Sequence, residues 1–167
     1  MRIFIRSGRL VNPFEIEQYE FTIEELVHPI SQLVRYTGHG AFPYSVAEHT
    51  YHLIQHVPDH LKRAAALHDL NEGLTNDLPY PFKKVLTQFT EFEERVQRHI
   101  FKLFDEPWEH MEELAPYDRR ICQDEMDQLF EGRFDLGLEP LGVEIHGWTW
   151  HVARDRLLEA CREIGLA

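Results

Sequence analysis

Cysteine is almost missing from this chain: two occur in 167 residues, Cys122 and Cys161. Neither has a CxxC partner, so there is no zinc knuckle and no disulfide framework, and a reducing compartment is the expectation. Basic residues are also few, 17 Lys and Arg against 29 Asp and Glu, for a formal charge of −12. Polyphosphate backbones are held by clustered Lys and Arg, so this balance excludes a general grip on nucleic acid. It does not exclude a small anionic substrate, because a few cations or a metal reverse the field inside one cleft. Long apolar runs are lacking too. The stretch from Met1 to Arg6 is far too short for a signal peptide or a membrane span, so no membrane partner is expected and the chain is read as cytoplasmic. Repeats, low-complexity tracts and Gly/Ser linkers are absent. With 43% hydrophobic and 12% aromatic residues, this leaves one sizeable core and a single domain over 1–167.

What is present is mostly helical pattern. Ile3 to Val11 around Ser7-Gly8 predicts a short hairpin. Thr22 and Glu25 have capping-box spacing, and Ile23, Leu26, Val27, Ile30, Leu33 and Val34 follow with helical period, with Pro29 expected to kink or split that helix. Ser45 and Glu48 repeat the signature before a helix from about Val46 to His56. Asp59 is expected to cap a helix running through His68. Further helices are predicted near 81–87, 90–104, 115–130 and 150–164, with the longest irregular connection between Gly132 and Gly147. The fold class is therefore an all-α bundle with a short N-terminal β-hairpin.

Polar residues interrupt the apolar stripes at telling places. Leu61, Ala64, Ala65 and His68 share one helix face, and Glu72 continues it a turn later. Val46, His49, Thr50 and Leu53 form a similar stripe, again containing a histidine. Asp118 shares a face with Ile121, Cys122, Glu125 and Leu129. A single inward histidine is more often a core residue bonded to a carbonyl than a ligand, and with 11 His some alignment arises by chance. Three helices each aiming a metal-capable group inward is a stronger pattern. His49, His68, Asp69 and Asp118 make a mixed imidazole and carboxylate set suited to Mn, Fe, Co, Ni or Zn in a bundle core. Such an ion lowers the pKa of a bound water and polarises a phosphoryl oxygen.

Taken with their flanks, these residues resemble a known family. Ser45-Val46-Ala47-Glu48-His49-Thr50, His68-Asp69-Leu70-Asn71-Glu72, Asp77-Leu78-Pro79-Tyr80-Pro81-Phe82-Lys83 and Tyr117-Asp118-Arg119-Arg120, with Arg35-Tyr36-Thr37-Gly38-His39 upstream, occur in the order seen in the HD-domain phosphohydrolases. The resemblance is closest to their YfbR-like 5′-deoxynucleotidase branch and to the DatZ-like phage dNTP triphosphohydrolases, and it covers about residues 22–130. It implies an HD-type bundle, a divalent transition metal (Mn, Co, Zn, Ni or Fe, with room for an additional Mg) on His49, His68, Asp69 and Asp118, and a homo-oligomer acting on a small-molecule nucleotide. Helices 90–104 and 150–164 are candidate interface elements, though core packing explains them equally well.

The same resemblance places Glu72 and Asp77 near the reacting phosphate as catalytic residues. Glu72 could handle the proton or orient a ligand imidazole, and the sequence leaves both open. Arg35 matches the phosphate-contacting arginine, whose fork suits phosphate geometry. Lys83, His39 and Tyr36 complete the substrate-binding candidates. Tyr36 departs from that branch, which has Trp there. Asn71 departs as well, and the region after Gly132 with Trp148 and Trp150 matches nothing assigned. The implied reaction is release of phosphate from a deoxynucleoside monophosphate. A dNTP triphosphohydrolase is the alternative, with Lys83, Lys84, Arg119 and Arg120 as cations for further phosphates, and a non-catalytic nucleotide-binding module is the second.

Overall fold

The computed structural model describes residues 2–132 and 134–167. Over these residues the chain forms eight α-helices and one two-stranded sheet. The sheet is the predicted hairpin: β1 (Ile3–Phe4) runs antiparallel to β2 (Leu10–Val11), with Ile3 opposite Val11. Gly8 takes φ +81 in the connecting turn, a conformation costly for residues with a Cβ. None of the helices is long and apolar enough to cross a membrane.

Helix α1 (Ile23–Gln32) opens on the predicted capping box, with Thr22 Oγ1 accepting the Glu25 N–H and Glu25 Oε2 accepting the Thr22 N–H, each at 3.2 Å. The helix runs through Pro29 without splitting and stops at Gln32, so Leu33 and Val34 lie outside it. Both have left the helix because the chain turns extended: Leu33 has ψ 126, and Val34 forms an antiparallel bridge with Ser45. That bridge turns residues 35–44 into a closed excursion whose base is the start of α2 (Val46–His56). Ser45 caps α2 through the Glu48 N–H at 3.1 Å, but the Glu48 carboxylate does not reach back to complete the box.

The next expected helix divides into three pieces. A 3-10 turn, Asp59–Leu61, has Pro58 at its N-cap position and no side-chain cap, and Asp59 pairs with Lys62 at 2.7 Å. Helix α3 (Lys62–Leu67) ends before His68, and α4 (Glu72–Thr75) follows after a run of three-residue turns. Helices α5 (Tyr80–Val85) and α6 (Thr87–Leu103) come next. Helix α7 (Glu109–Leu129) begins six residues before the expected Ala115, because Pro116 lies inside it rather than at its first turn. Helix α8 (Trp150–Glu163) closes the bundle, packing on α1 and α2. The inward faces of α6 and α8 supply Val96, Ile100, Phe101, Ala153, Leu157 and Cys161 to the core.

Between α7 and α8 the described residues 134–149 have neither helix nor strand, yet they are not loosely held. The Asp124 carboxylate accepts the N–H groups of Leu141, Gly142 and Val143 at 2.8, 2.9 and 2.9 Å. The Gln128 side chain accepts from Ile145 N–H and donates to the Val143 carbonyl. The fully buried Glu48 carboxylate accepts from His146, Gly147 and Trp148 at 2.8, 3.0 and 2.7 Å. Gly147, at φ +63, lies flat against the Phe42 ring, where any Cβ would overlap it. Trp148 stacks on His146 and packs against Tyr51 and His52, which makes it a packing residue.

Three charge-assisted bonds on one buried carboxylate are worth several kcal/mol to lose. Replacing Glu48 with Ala should therefore lower the stability of the whole bundle by at least about 2 kcal/mol. Urea unfolding followed by circular dichroism checks this, and an unchanged midpoint would contradict it.

Candidate metal centre

Helix α2 brings His49 inward on the predicted stripe, where it is fully buried. Its Nδ1 lies 2.7 Å from Glu125 Oε1, and the Nδ1 of His68 lies 2.8 Å from the Ala65 carbonyl oxygen. A carbonyl only accepts, so the His68 Nδ1 carries the proton, and the Glu125 carboxylate selects the same form in His49. Both rings then turn their Nε2 atoms to one point, 3.3 Å apart.

Helix α7 adds Asp118, whose Oδ1 is 3.2 Å from His49 Nε2 and 3.7 Å from His68 Nε2. These three donors are close enough together to hold one metal ion. At metal–donor distances of about 2.1 Å, the edges of a coordination polyhedron are about 3.0–3.4 Å, the scale of these separations. Burial alone would lower both imidazoles, but the surrounding carboxylates raise His49, and raise His68 well above the usual histidine range, so the cluster calls for positive charge at this point. Asp118 is the open side of the cluster, with 40% of its side chain exposed.

Asp69 joins from the stretch where α3 ends. The bonds from Leu70 N–H to Leu67 O and from Glu72 N–H to Asp69 O span three residues, and in such winding residues i and i+3 eclipse. Asp69 and Glu72 therefore share a side, where an uninterrupted α-helix would have aligned Glu72 with His68. Asp69 Oδ2 stands 3.1 Å from His68 Nε2, 3.7 Å from His49 Nε2 and 3.6 Å from Arg35 Nη1. Glu72 is buried, with Oε2 lacking any hydrogen-bond partner. Burial, reinforced by the charges of Asp69 and Asp77, pushes its carboxyl up to about 9, so it carries its proton at neutral pH. Burial likewise raises Asp77, which feels Arg35, Asp69 and Lys83.

The other sequence candidates divide. Arg35 is brought in from the 35–44 excursion with only 13% of its side chain exposed, and its Nη2 donates to Glu125 Oε2 at 3.1 Å. Its buried Nε–H has no acceptor. The Tyr36 hydroxyl also donates to Glu125 Oε2, and its ring meets Phe130 edge-on, so it braces the centre instead of offering a free hydroxyl to a ligand. Lys83 lies beside Glu72 at 3.7 Å but is bonded to Glu93 Oε1 at 2.8 Å, so its charge is already matched. His39 is exposed at the end of the turn, and its ring makes no hydrogen bond to these residues. Glu125 is the residue that sequence reasoning passed over: it was visible on the face shared by Asp118 and Ile121, but its partners lie on distant segments. Burial alone would raise its carboxyl, and the charges of Arg35 and His49 hold it instead at about 2.

The bundle and these donors define a helical protein with a potential metal centre. No protein-family model matches the chain. Over 101 residues it is 29% identical to the uncharacterized protein YfdR of Escherichia coli (strain K12), a match covering 60% of this chain and 57% of that protein. The match thus spans less than two thirds of that relative.

An ion binding only the folded chain stabilises it by mass action, by about 2.7 kcal/mol at one hundred times its dissociation constant. Co²⁺ or Zn²⁺ should raise the thermal midpoint of the wild type and leave that of His68→Ala unmoved. Equal shifts in both, read by scanning calorimetry, would place the ion elsewhere.

Proposed function

We propose that the protein is a metal-dependent phosphohydrolase of the HD-domain type, acting on the 5′-phosphate of a nucleotide and releasing phosphate from a deoxynucleoside monophosphate. One observation carries this reading: His49, His68 and Asp118 lie close enough together to hold one ion, with Asp69 Oδ2 3.1 Å from His68 Nε2, beside a buried guanidinium, Arg35, whose Nε–H has no acceptor. A fourth donor from Asp69 completes a mixed shell of two imidazoles and two carboxylates, suited to a divalent transition ion. Bound there, such an ion would supply a water of lowered pKa and polarise a phosphoryl oxygen.

The chain's own residues supply the rest. Arg35 offers its free donors to the phosphoryl oxygens and offsets charge that grows on them. Glu72 holds a proton within a buried, negative surrounding and gives it to the departing 5′ oxygen as the P–O bond breaks. Asp77, in the same field, is the second carboxyl available to exchange it.

The monophosphate is favoured over the triphosphate by the state of the neighbouring cations. Lys83 is matched by Glu93 and Glu72, the Arg120 guanidinium donates to the carbonyls of Glu139 and Pro140, and Lys84 lies over the Tyr80 ring. Further phosphates would need these groups released from their present partners, and of the four candidate cations only Arg119, its side chain exposed and without a hydrogen bond or ion pair among the described residues, is already free to meet them.

The test is incubation with dAMP and with dATP in the presence of Mn²⁺ or Co²⁺, with products resolved by chromatography. Nucleoside from dAMP is expected. Nucleoside with intact triphosphate from dATP alone would support the triphosphohydrolase, and tight binding without any product would indicate a nucleotide-binding module. Asp69→Ala should lose metal and turnover together while keeping its helical content, and retained activity would remove Asp69 from the centre.

A further inference from the structure

Glu125 is completely buried in α7 and accepts from three donors that belong to two different parts of the centre. Its Oε1 takes the His49 Nδ1–H at 2.7 Å, and its Oε2 takes the Arg35 Nη2–H at 3.1 Å together with the Tyr36 hydroxyl. The segment carrying Arg35 and Tyr36 has little regular support. Tyr36, Thr37 and Gly38 have φ of +56, +55 and +77, three successive residues in a region that side chains with a Cβ avoid. Such backbone persists only where its surroundings over-determine it. Here those surroundings are the Glu125 oxygen, the Phe130 ring set edge-on to Tyr36, and the bond from Arg35 N–H to the Tyr44 carbonyl.

We propose that Glu125 is a positioning residue that joins the two halves of the centre. Its first oxygen keeps His49 in the form that turns Nε2 toward His68 and Asp118. Its second oxygen holds the strained Arg35–Gly38 turn against the same point. Cation binding through His49 and anion binding through Arg35 are therefore linked by one carboxylate that itself touches neither ligand. This inference rests on the reading of the centre as a metal-dependent phosphate site. His68 needs no equivalent, because a backbone carbonyl sets its tautomer.

Two substitutions separate the two oxygens. In Glu125→Gln the amide oxygen still accepts from His49, but its NH₂ meets the donors of Arg35 and Tyr36; in Glu125→Ala both contacts go. The measurements are CoCl₂ titration by calorimetry, then orthophosphate titration of the cobalt-loaded protein. Loss of a carboxylate supporting a ligand imidazole weakens metal binding by about 10–100-fold, so Glu125→Ala is expected to lose cobalt affinity on that scale and orthophosphate with it. Glu125→Gln is expected to keep cobalt affinity within about tenfold while losing about tenfold or more for orthophosphate. Asp124→Asn is the control for general loosening: this neighbouring carboxylate holds the 141–143 amides, so its loss lowers the thermal midpoint with both affinities kept within about twofold.

A wild type that binds cobalt alongside an unchanged Glu125→Ala overturns the inference alone, as does an Asp124→Asn variant with the same losses as Glu125→Ala. A wild type that binds no cobalt overturns the metal reading and this inference together. If Glu125→Ala does not fold, Tyr36→Phe removes a single donor from Oε2. It is expected to weaken orthophosphate several-fold with cobalt affinity unchanged, and unaltered orthophosphate binding there overturns the link.

Discussion

A carboxylate removed from water must be surrounded by donors or opposed by a cation, and much of this bundle is arranged around meeting that demand. Glu48 and Glu125 are fully buried and Asp124 nearly so, on the two helices α2 and α7 that also carry His49 and Asp118. Two kinds of donor satisfy them: backbone amides for Glu48 and Asp124, and an imidazole, a guanidinium and a phenol for Glu125. Removing any of them would leave a set of buried N–H groups without acceptors. The irregular parts of the chain, 35–44 and 134–149, take their shape from these carboxylates more than from any ladder of their own.

At the centre the same demand is only partly met from within. Asp69, Asp118, Glu72, Asp77 and Glu125 gather around Arg35 and Lys83, and Lys83 is already shared with Glu93. Carboxylate outnumbers cation there: burial and the neighbouring negative charges keep the proton on Glu72, and the same carboxylates raise the His49 and His68 imidazoles against the effect of burial, so positive charge is drawn to the point where the two Nε2 atoms meet. A pocket of this kind favours an added cation. The acidic composition of the whole chain and a proposed phosphate substrate are compatible for this reason.

Helix existence and the inward groups were legible in the sequence because they depend on local period. The stripes containing His49, His68 and Asp118 stood on the expected faces, and the hairpin and the Thr22 cap formed where their residues predicted. What escaped were features decided by distant partners. Glu48 looked like half of a capping box until residues 146–148 claimed it, and Lys83 looked like a free phosphate cation until Glu93 on α6 matched it. The break at His68 was hidden because Ala64 to Leu67 lead into it with unbroken helical propensity, and only the three-residue winding there brings Asp69 and Glu72 to one side. Glu125 lay in plain view on the Asp118 face, but a carboxylate on a face says nothing of which tautomer or turn it governs.

The segment between α7 and α8 deserves a different description from the word loop. Seven of its amides between Leu141 and Trp148 are matched to Asp124, Gln128 and Glu48, so the length of that stretch is set by the spacing of three acceptors on two helices. Surface connections ordinarily accept inserted or deleted residues during divergence, because nothing counts them. Here a single insertion between Leu141 and Trp148 would shift every later amide off its acceptor. Relatives descended from a common ancestor should therefore vary freely in the side chains of this stretch while keeping its residue count, with Glu48 and Asp124 travelling together as a pair.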